Sequence, residues 1–303
     1  MNPSFSQFIS RYIPGHVQKV MVDGGFSCPN RDGTVGYGGC AFCSNEAFVP
    51  RYCNSGLDIA AQVEAGRAFF RRKLSDAKLL VYFQSYTATH APVCVVMARL
   101  RQALALPDVA GVILGTRPDC MPPVMLDALA GLSRQTFVMV EYGVESANDV
   151  TLRRMGRGHD NSASVDAICR TANAGIAVGA HVILGLPGES HADMMTTADC
   201  LASLPVDVIK LHQLQVVRGT RLASQWLDDP SSVPTLSASQ YANLAADFIL
   251  RIPQSVAIDR FASLTPPALL LSPRWGLKPD DVGRLVRDAL ISKTRNLRPL
   301  PPV

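Results

Sequence analysis

The chain has 303 residues, 48% of them hydrophobic and 18% charged, with a formal net charge of +4 and a pI near 8.6. These are the proportions of a globular protein and exclude a disordered one; no apolar run approaches the roughly 18 to 20 residues that span a bilayer, and the start lacks the basic end and apolar core of a signal peptide. A cytoplasmic protein is expected, basic enough to permit an anionic partner such as RNA without requiring one.

Short runs rich in Val, Ile, Leu and aromatics recur at 20–22, 79–83, 109–114, 137–142, 178–184 and 208–211. Stretches of helical period lie between them, at 57–74, 93–104, 122–132, 162–174 and 192–204. Strands alternating with helices predict βαβ units and a parallel sheet. Six repeats without a long structureless loop make the expected fold α/β, a partial (β/α)6 barrel whose strands are buried on both faces. After about residue 225 the composition changes, and Asp228-Asp-Pro-Ser-Ser-Val-Pro reads as a linker. A helix is predicted over 237–251 with Ser237 as its N-cap, a further strand over 256–261, and a last helix over 280–290 behind Pro279. The domain reading is therefore a core over 1–225 and an α-rich extension over 226–303 that packs on it. The basic, proline-rich end of that extension, 292–303, is expected to be extended and mobile.

Eight cysteines are too sparse for a secreted disulfide scaffold, and clustered thiols in a reducing compartment point to metal or catalysis. Three of them, Cys28, Cys40 and Cys43, stand on one glycine-rich loop after the first apolar run. Thiolates are soft ligands that suit zinc, copper(I) and iron-sulfur clusters. A structural zinc site closes with four ligands and an ordinary cubane cluster takes four cysteines, so three sulfurs leave one metal position for an outside ligand. Cys94, Cys169 and Cys200 lie in apolar, helical surroundings and read as small core residues. Cys53 reads as either a spare ligand or a loop cysteine.

Ligands of parallel α/β sheets collect at the carboxyl ends of the strands, and here those ends are polar and rich in glycine. They read Gln84-Ser-Tyr86-Thr87, Gly115-Thr116-Arg117-Pro-Asp119, Glu141-Tyr-Gly143-Val-Glu145, Gly185-Leu-Pro187-Gly188 and Lys210-Leu-His212-Gln213. Glu141 and Glu145 share a face of their strand. Arg117, Asp119, Lys210, His212 and the run Arg153-Arg154-Met-Gly-Arg157-Gly-His159 supply groups suited to a carboxylate or phosphate, although each also occurs as a satisfied structural residue or a solvated loop. His90 and His191 read as loop and cap residues.

Three cysteines with Phe42 directly before the last, on the loop after the first strand of a six-fold βα chain, resemble the radical S-adenosylmethionine (SAM) enzymes. The usual spacing there is Cys-x3-Cys-x-aromatic-Cys. The first gap of eleven residues and the wording Gly24-Gly-Phe-Ser-Cys28-Pro-Asn-Arg-Asp-Gly-Thr34 resemble instead a bacterial branch related to the Elp3-type radical SAM enzymes. Tyr82-Phe-Gln-Ser-Tyr-Thr87, Gly115-Thr-Arg-Pro-Asp-Cys120, His181-Val-Ile-Leu-Gly-Leu-Pro-Gly-Glu-Ser190 and Lys210-Leu-His212 extend the likeness in the same order.

The resemblance implies that Cys28, Cys40 and Cys43 hold three irons of a 4Fe-4S cluster while the fourth iron takes the amino and carboxylate groups of SAM. Reductive cleavage of SAM then yields a 5′-deoxyadenosyl radical that removes hydrogen from substrate. Gln84, Tyr86 and Thr87 fall where related enzymes contact the methionine amino group, and Glu141 or Glu145 could serve the ribose hydroxyls or the ammonium. Gly185, Pro187 and Gly188 would admit the adenine, with Ile183 packing on its face; Phe42, Thr116, Gly143 and Gln213 complete the cofactor set. Lys210 and His212 are the catalytic candidates, and Arg117, Asp119, Arg154, Arg157 and His159 face the substrate. An electron donor such as flavodoxin or ferredoxin is implied. So is a tRNA substrate, because the branch includes enzymes implicated in trimming a carboxymethylaminomethyl group of the wobble uridine toward aminomethyl. A small carboxylate or amino-acid-derived metabolite is the alternative substrate. The alternative of another class is a non-catalytic iron-sulfur or zinc protein that senses redox state or scaffolds a partner.

Overall fold

The computed structural model describes residues 2–71 and 76–297. Its strands are β1 (Val17–Val22), β2 (Lys78–Phe83), β3 (Val109–Thr116), β4 (Phe137–Glu145), β5 (Ala177–Leu184), β6 (Val208–Gln213), β7 (Val216–Val217), β8 (Ala257–Arg260) and β9 (Leu270–Ser272). Seven form one parallel sheet in the order β1-β2-β3-β4-β5-β6-β8, curled into a half-barrel, and β7 pairs antiparallel with β9. The partial barrel expected from six apolar runs is present with one strand more. That strand, β8, comes from the 226–303 extension, so the extension completes the sheet as well as packing on it.

The helices are α1 (Phe5–Ile9), α2 (Asn45–Phe48), α3 (Ile59–Phe70), α4 (Val93–Leu104), α5 (Pro123–Ser133), α6 (Asp149–Arg154), α7 (Asn161–Asn173), α8 (His191–Ala202), α9 (Arg221–Asp228), α10 (Ala238–Arg251) and α11 (Pro279–Leu297). Side-chain caps set their starts: Asp58 accepts from Ala61 N, Asp160 from Ala163 N, and Ser190 and Ser237 form reciprocal capping boxes with Asp193 and Gln240. The predicted helix over 57–74 begins at Ile59, and its residues 72–74 lie outside the described part. The last helix runs to Leu297, past its expected end at 290, so residues 292–297 are helical rather than extended; the rest of the tail, 298–303, lies outside the described residues. No described helix is long and apolar enough to cross a membrane.

Alternation along the strands sorts the half-barrel into an outside and an inside. Leu79, Val81 and Phe83 of β2, Val112 and Leu114 of β3, and Val138, Val140 and Tyr142 of β4 join the large core beneath the helices. The intervening Leu80, Tyr82, Ile113 and Met139 point the other way and meet Phe5, Phe8, Ile9 and Ile13 of the amino-terminal segment. That segment closes the amino end of the half-barrel and is tied to β8 by Ile258 N donating to Pro3 O at 2.8 Å. One step further along the strands the inward residues become polar: Lys19, Glu141, His181, Lys210 and Asp259. The inside is thus layered, with an apolar plug, a charged layer above it, and open strand ends above that.

Candidate active site

At the carboxyl ends of the strands the loops enclose a cavity of about 220 Å³. The cysteine loop forms one wall, and the eleven residues between Cys28 and Cys40 fold back on themselves. Arg31 N donates to Cys28 O at 2.7 Å, Val35 N to Pro29 O at 2.8 Å, and Gly39 N to Asn30 O at 2.8 Å. Gly38 and Gly39 take φ of +76° and +83°, which glycine adopts without strain. The loop is docked as well as folded. Asn30 Nδ2 donates to Cys40 Sγ at 3.2 Å and to Gly156 O at 2.8 Å, and Ala41 N donates to Met155 O at 2.8 Å. All three ligand candidates line the cavity.

Across the cavity stand the predicted strand-end groups Gln84, Tyr86, Thr87, Thr116, Glu141 and Gly143, with Glu145 and Ile183 also in the lining and Phe42 on the cysteine loop. Tyr86 and Glu145 hold φ of +56° and +66°, a left-handed backbone that costs a non-glycine residue and clusters at functional sites. Thr87 N donates to Ser27 O at 3.2 Å, joining the β2 loop to the cysteine loop. Thr116 Oγ1 lies 2.5 Å from Thr89 Oγ1, so its hydroxyl is engaged. Gln213 spends its amide on the backbone of Ser263, donating to its carbonyl at 2.9 Å and accepting from its N–H at 2.7 Å.

Arg157 is the site's main organiser. It donates to Cys40 Sγ at 3.4 Å and to Gly143 O, and lies 3.9 Å from Glu145 Oε1. Burial opposes its charge, but Cys40 and Glu145 outweigh that and hold its pKa above the usual value. Burial pushes the Glu145 carboxyl up although Arg157 pulls it down. Arg117 holds Asp119 in a two-pronged pair at 2.9 and 2.7 Å. Cys43 is pushed up to about 11, first by burial and then by Cys40, so loading with metal must take its proton.

The floor belongs to Glu141. Lys210 Nζ reaches Glu141 Oε2 at 2.5 Å, His181 Nε2 lies at 2.9 Å, and Lys19 binds Asp259 at 2.6 Å. Burial alone would raise the Glu141 pKa; Lys210, His181 and Lys19 together hold it well below the carboxylate range. Lys210 lies behind Glu141, whereas His212 lines the cavity. His212 Nδ1 bonds Ser263 Oγ, its ring stacks on His181 at 5.1 Å, and burial, with the Arg260 and Lys210 charges nearby, keeps its pKa well below 6.5.

Gly185, Pro187, Gly188, Asp119, Arg154 and His159 do not line this cavity. A Cβ on Gly188 would meet Arg154 Nη1 at 1.5 Å, and Arg154 donates to Pro187 O at 2.7 Å, so the closeness that glycine permits there serves Arg154. His159 Nδ1 lies 3.0 Å from Asp160 O. Cys53 donates to Met21 O at 3.1 Å behind β1 and is no part of the thiol wall. Asn30, His181, Asp259 and Arg260 belong to the site without any role expected for them from the sequence. His181 and Asp259 carried a readable signal, since each is a polar residue inside an apolar run.

The fit of a cluster and of SAM can be judged from these donors. Among the described residues no three His, Cys, Asp or Glu side chains converge as a single-ion site requires. A cubane cluster asks for separate thiolates, each on its own iron, and two donors already point at the Cys40 sulfur, as suits a thiolate. Gln84 Oε1 is buried and, among the described residues, has no partner, as suits an acceptor for an ammonium group. The residues fit both groups.

A three-thiol wall facing polar strand ends in a parallel half-barrel is the arrangement of an enzyme of the radical SAM class. The Radical SAM superfamily model matches residues 37–201 and the Radical_SAM C-terminal domain model matches 206–290, and the chain belongs to the radical SAM superfamily. Protein YtqA of Bacillus subtilis is 38% identical over 264 residues, 87% of this chain and 81% of that one. The tRNA uridine(34) acetyltransferase of Dehalococcoides mccartyi is 28% identical over 212 residues, 67% of this chain and 44% of that one. Among solved structures, archaeal Methanocaldococcus infernus Elp3 superposes with a TM-score of 0.70 at 15% identity, over 92% of this chain and 64% of that one, a likeness of fold.

Proposed function

We propose that this radical SAM enzyme acts on the wobble uridine of tRNA, at the step that takes a carboxymethylaminomethyl substituent to aminomethyl. The observation that carries the reading is the set of unsatisfied groups around one cavity. Gln84 Oε1 is an acceptor on the loop bonded to the cysteine loop, while Arg117 Nη1 and His212 Nε2 are buried nitrogens without partners among the described residues. An acceptor suits the ammonium of SAM, and donors suit the carboxylate end of a substrate arm. The relative named for tRNA uridine(34) and the net charge of +4 support RNA as the carrier of that arm.

Bound here, the cluster and SAM supply one-electron reduction and a radical that abstracts hydrogen from substrate. Cys28, Cys40 and Cys43 would hold the cluster, and Arg157 fixes the Cys40 sulfur and the Gly143 backbone relative to each other. His212, neutral and backed by Ser263, can give or take a hydrogen bond at Nε2. The plug of aromatic and aliphatic side chains beneath the charged layer excludes water from below.

Mass spectrometry of tRNA nucleosides from a strain lacking the gene tests the substrate. Accumulation of carboxymethylaminomethyluridine with loss of the aminomethyl form is expected. An unchanged profile would favour a small carboxylate metabolite in the same cavity.

A further inference from the structure

One cation of the floor, Arg260, has no salt-bridge partner among the described residues. The pairing of β8 with β6 slips at its end, where Ile209 pairs with Ile258 but Lys210 with Arg260. Two residues of β8 therefore stand against one step of β6, the arrangement by which a bulge re-aims a side chain beside a site. Regular alternation would send one of two successive side chains outward. Here both face in: Asp259 Oδ2 lies 2.6 Å from Lys19 Nζ and 3.4 Å from Lys210 Nζ, and Arg260 lines the cavity.

The nearby carboxylates already face other cations, although Glu141 Oε1 accepts no hydrogen bond and has Lys19 Nζ only at 4.0 Å. Glu141 is held by Lys210 and His181, Asp259 by Lys19 and Lys210, Glu145 faces Arg157, and Asp119 is gripped by Arg117. Lys19 and Lys210 thus face Glu141 and Asp259, two cations against two carboxylates, and Arg260, which lines the cavity, is the cation in excess. Among the described residues no carboxylate stands within 4.0 Å of the Arg260 guanidinium. Arg260 is half-buried, so its guanidinium keeps some contact with water and gains a partner when an anion enters the cavity.

We propose that Arg260 is a specificity-determining residue that receives a carboxylate carried by the substrate, with His212 Nε2 beside it as a second hydrogen-bonding group. A planar guanidinium binds both oxygens of a carboxylate. One cation in excess matches a monoanion rather than a phosphomonoester, which carries nearly two charges. The proposal deepens the reading above and rests on it for the RNA; the carboxylate follows from the charge of the floor.

The test uses the reconstituted full-length protein with cluster and SAM, and two anticodon-loop RNAs that differ only in a carboxymethylaminomethyl or aminomethyl group on the wobble uridine. The wild-type protein should bind the first about ten-fold or more tightly, the scale of a charge-assisted pair. Arg260→Gln should abolish the preference and Arg260→Lys keep part of it. A preference of undiminished size in Arg260→Gln overturns the proposal. So does a loss of SAM affinity in that variant, measured without RNA, because the guanidinium would then serve the carboxylate of SAM. If the wild-type protein binds neither RNA, the tRNA reading fails and Tm without substrate decides. An unpaired cation predicts that Arg260→Gln holds or raises Tm, and a fall of several degrees overturns it.

Discussion

Lys210 Nζ lies 2.5 Å from Glu141 Oε2 inside the half-barrel, where the Glu141 side chain is wholly buried and that of Lys210 is 4% exposed. Neither charge has water to fall back on. Removing Lys210 leaves Glu141 with His181 and Lys19, and removing Glu141 leaves Lys210 with Asp259 at 3.4 Å, so each loss falls at the low end for a broken buried pair, about 3 kcal/mol. Lys210→Met and Glu141→Gln should each lower unfolding free energy by that amount in urea titrations. The double variant should cost clearly less than the sum of the two; additive losses would mean that the pair is not coupled.

The three cysteines of the cavity wall differ from the others in surroundings. Cys28→Ala, Cys40→Ala and Cys43→Ala should each abolish the visible absorbance of the reconstituted cluster and most bound iron. Cys53→Ala should keep both, since its thiol is bonded to Met21 O away from the cavity. Equal losses in all four would refute the ligand set.

Acid should weaken the fold in two stages. His212 is held well below 6.5 by burial and neighbouring charge, and His159 is pulled down to about 4 by burial and Arg157. As pH falls below 6.5 the unfolded chain takes up protons that the folded chain refuses, so stability drops, by up to about 1.4 kcal/mol per pH unit for each fully refused proton. Glu141 is held below its usual 4.5, so its contribution, present above 4.5, is lost below that pH. Urea titrations across this range should show both stages, and His212→Asn should flatten the upper one. Constant stability between about pH 7 and pH 5 would contradict the assignment.

Arg157 donates to the Cys40 sulfur at 3.4 Å. A hydrogen bond to a ligand sulfur favours the more negative, reduced cluster and so raises its potential. Arg157→Gln should shift the cluster's midpoint potential downward in spectroelectrochemical titration, with Arg157→Lys intermediate. An unmoved potential would leave Arg157 a purely structural residue.

The parallel sheet was legible because β2 to β6 are nearly continuous apolar runs, and the thiol wall because Cys40 and Cys43 share one tight turn with Cys28 close before it. What a side chain spends itself on was not legible. Glu141 reads as a strand-end group for the cofactor, yet its closest partner is Lys210, two strands away in the sheet, and that pairing depends on curvature. Gln213 looks free until Ser263, fifty positions later, closes on its amide. Arg260 could not be read at all, because its inward aim comes from a slip in register between β6 and β8 that no local pattern encodes. Lys19 falls one residue before the apolar run at 20–22, so this member of the charged layer lies outside the pattern that marks the strand.

The central claim is that Cys28, Cys40 and Cys43 hold a cluster whose chemistry on SAM takes place in this cavity. The direct measurement is anaerobic reconstitution with iron and sulfide, addition of SAM and a strong reductant, and quantification of 5′-deoxyadenosine. Formation that depends on the reductant and disappears in Cys40→Ala is expected. Background levels from protein with its full complement of iron and sulfide would contradict it.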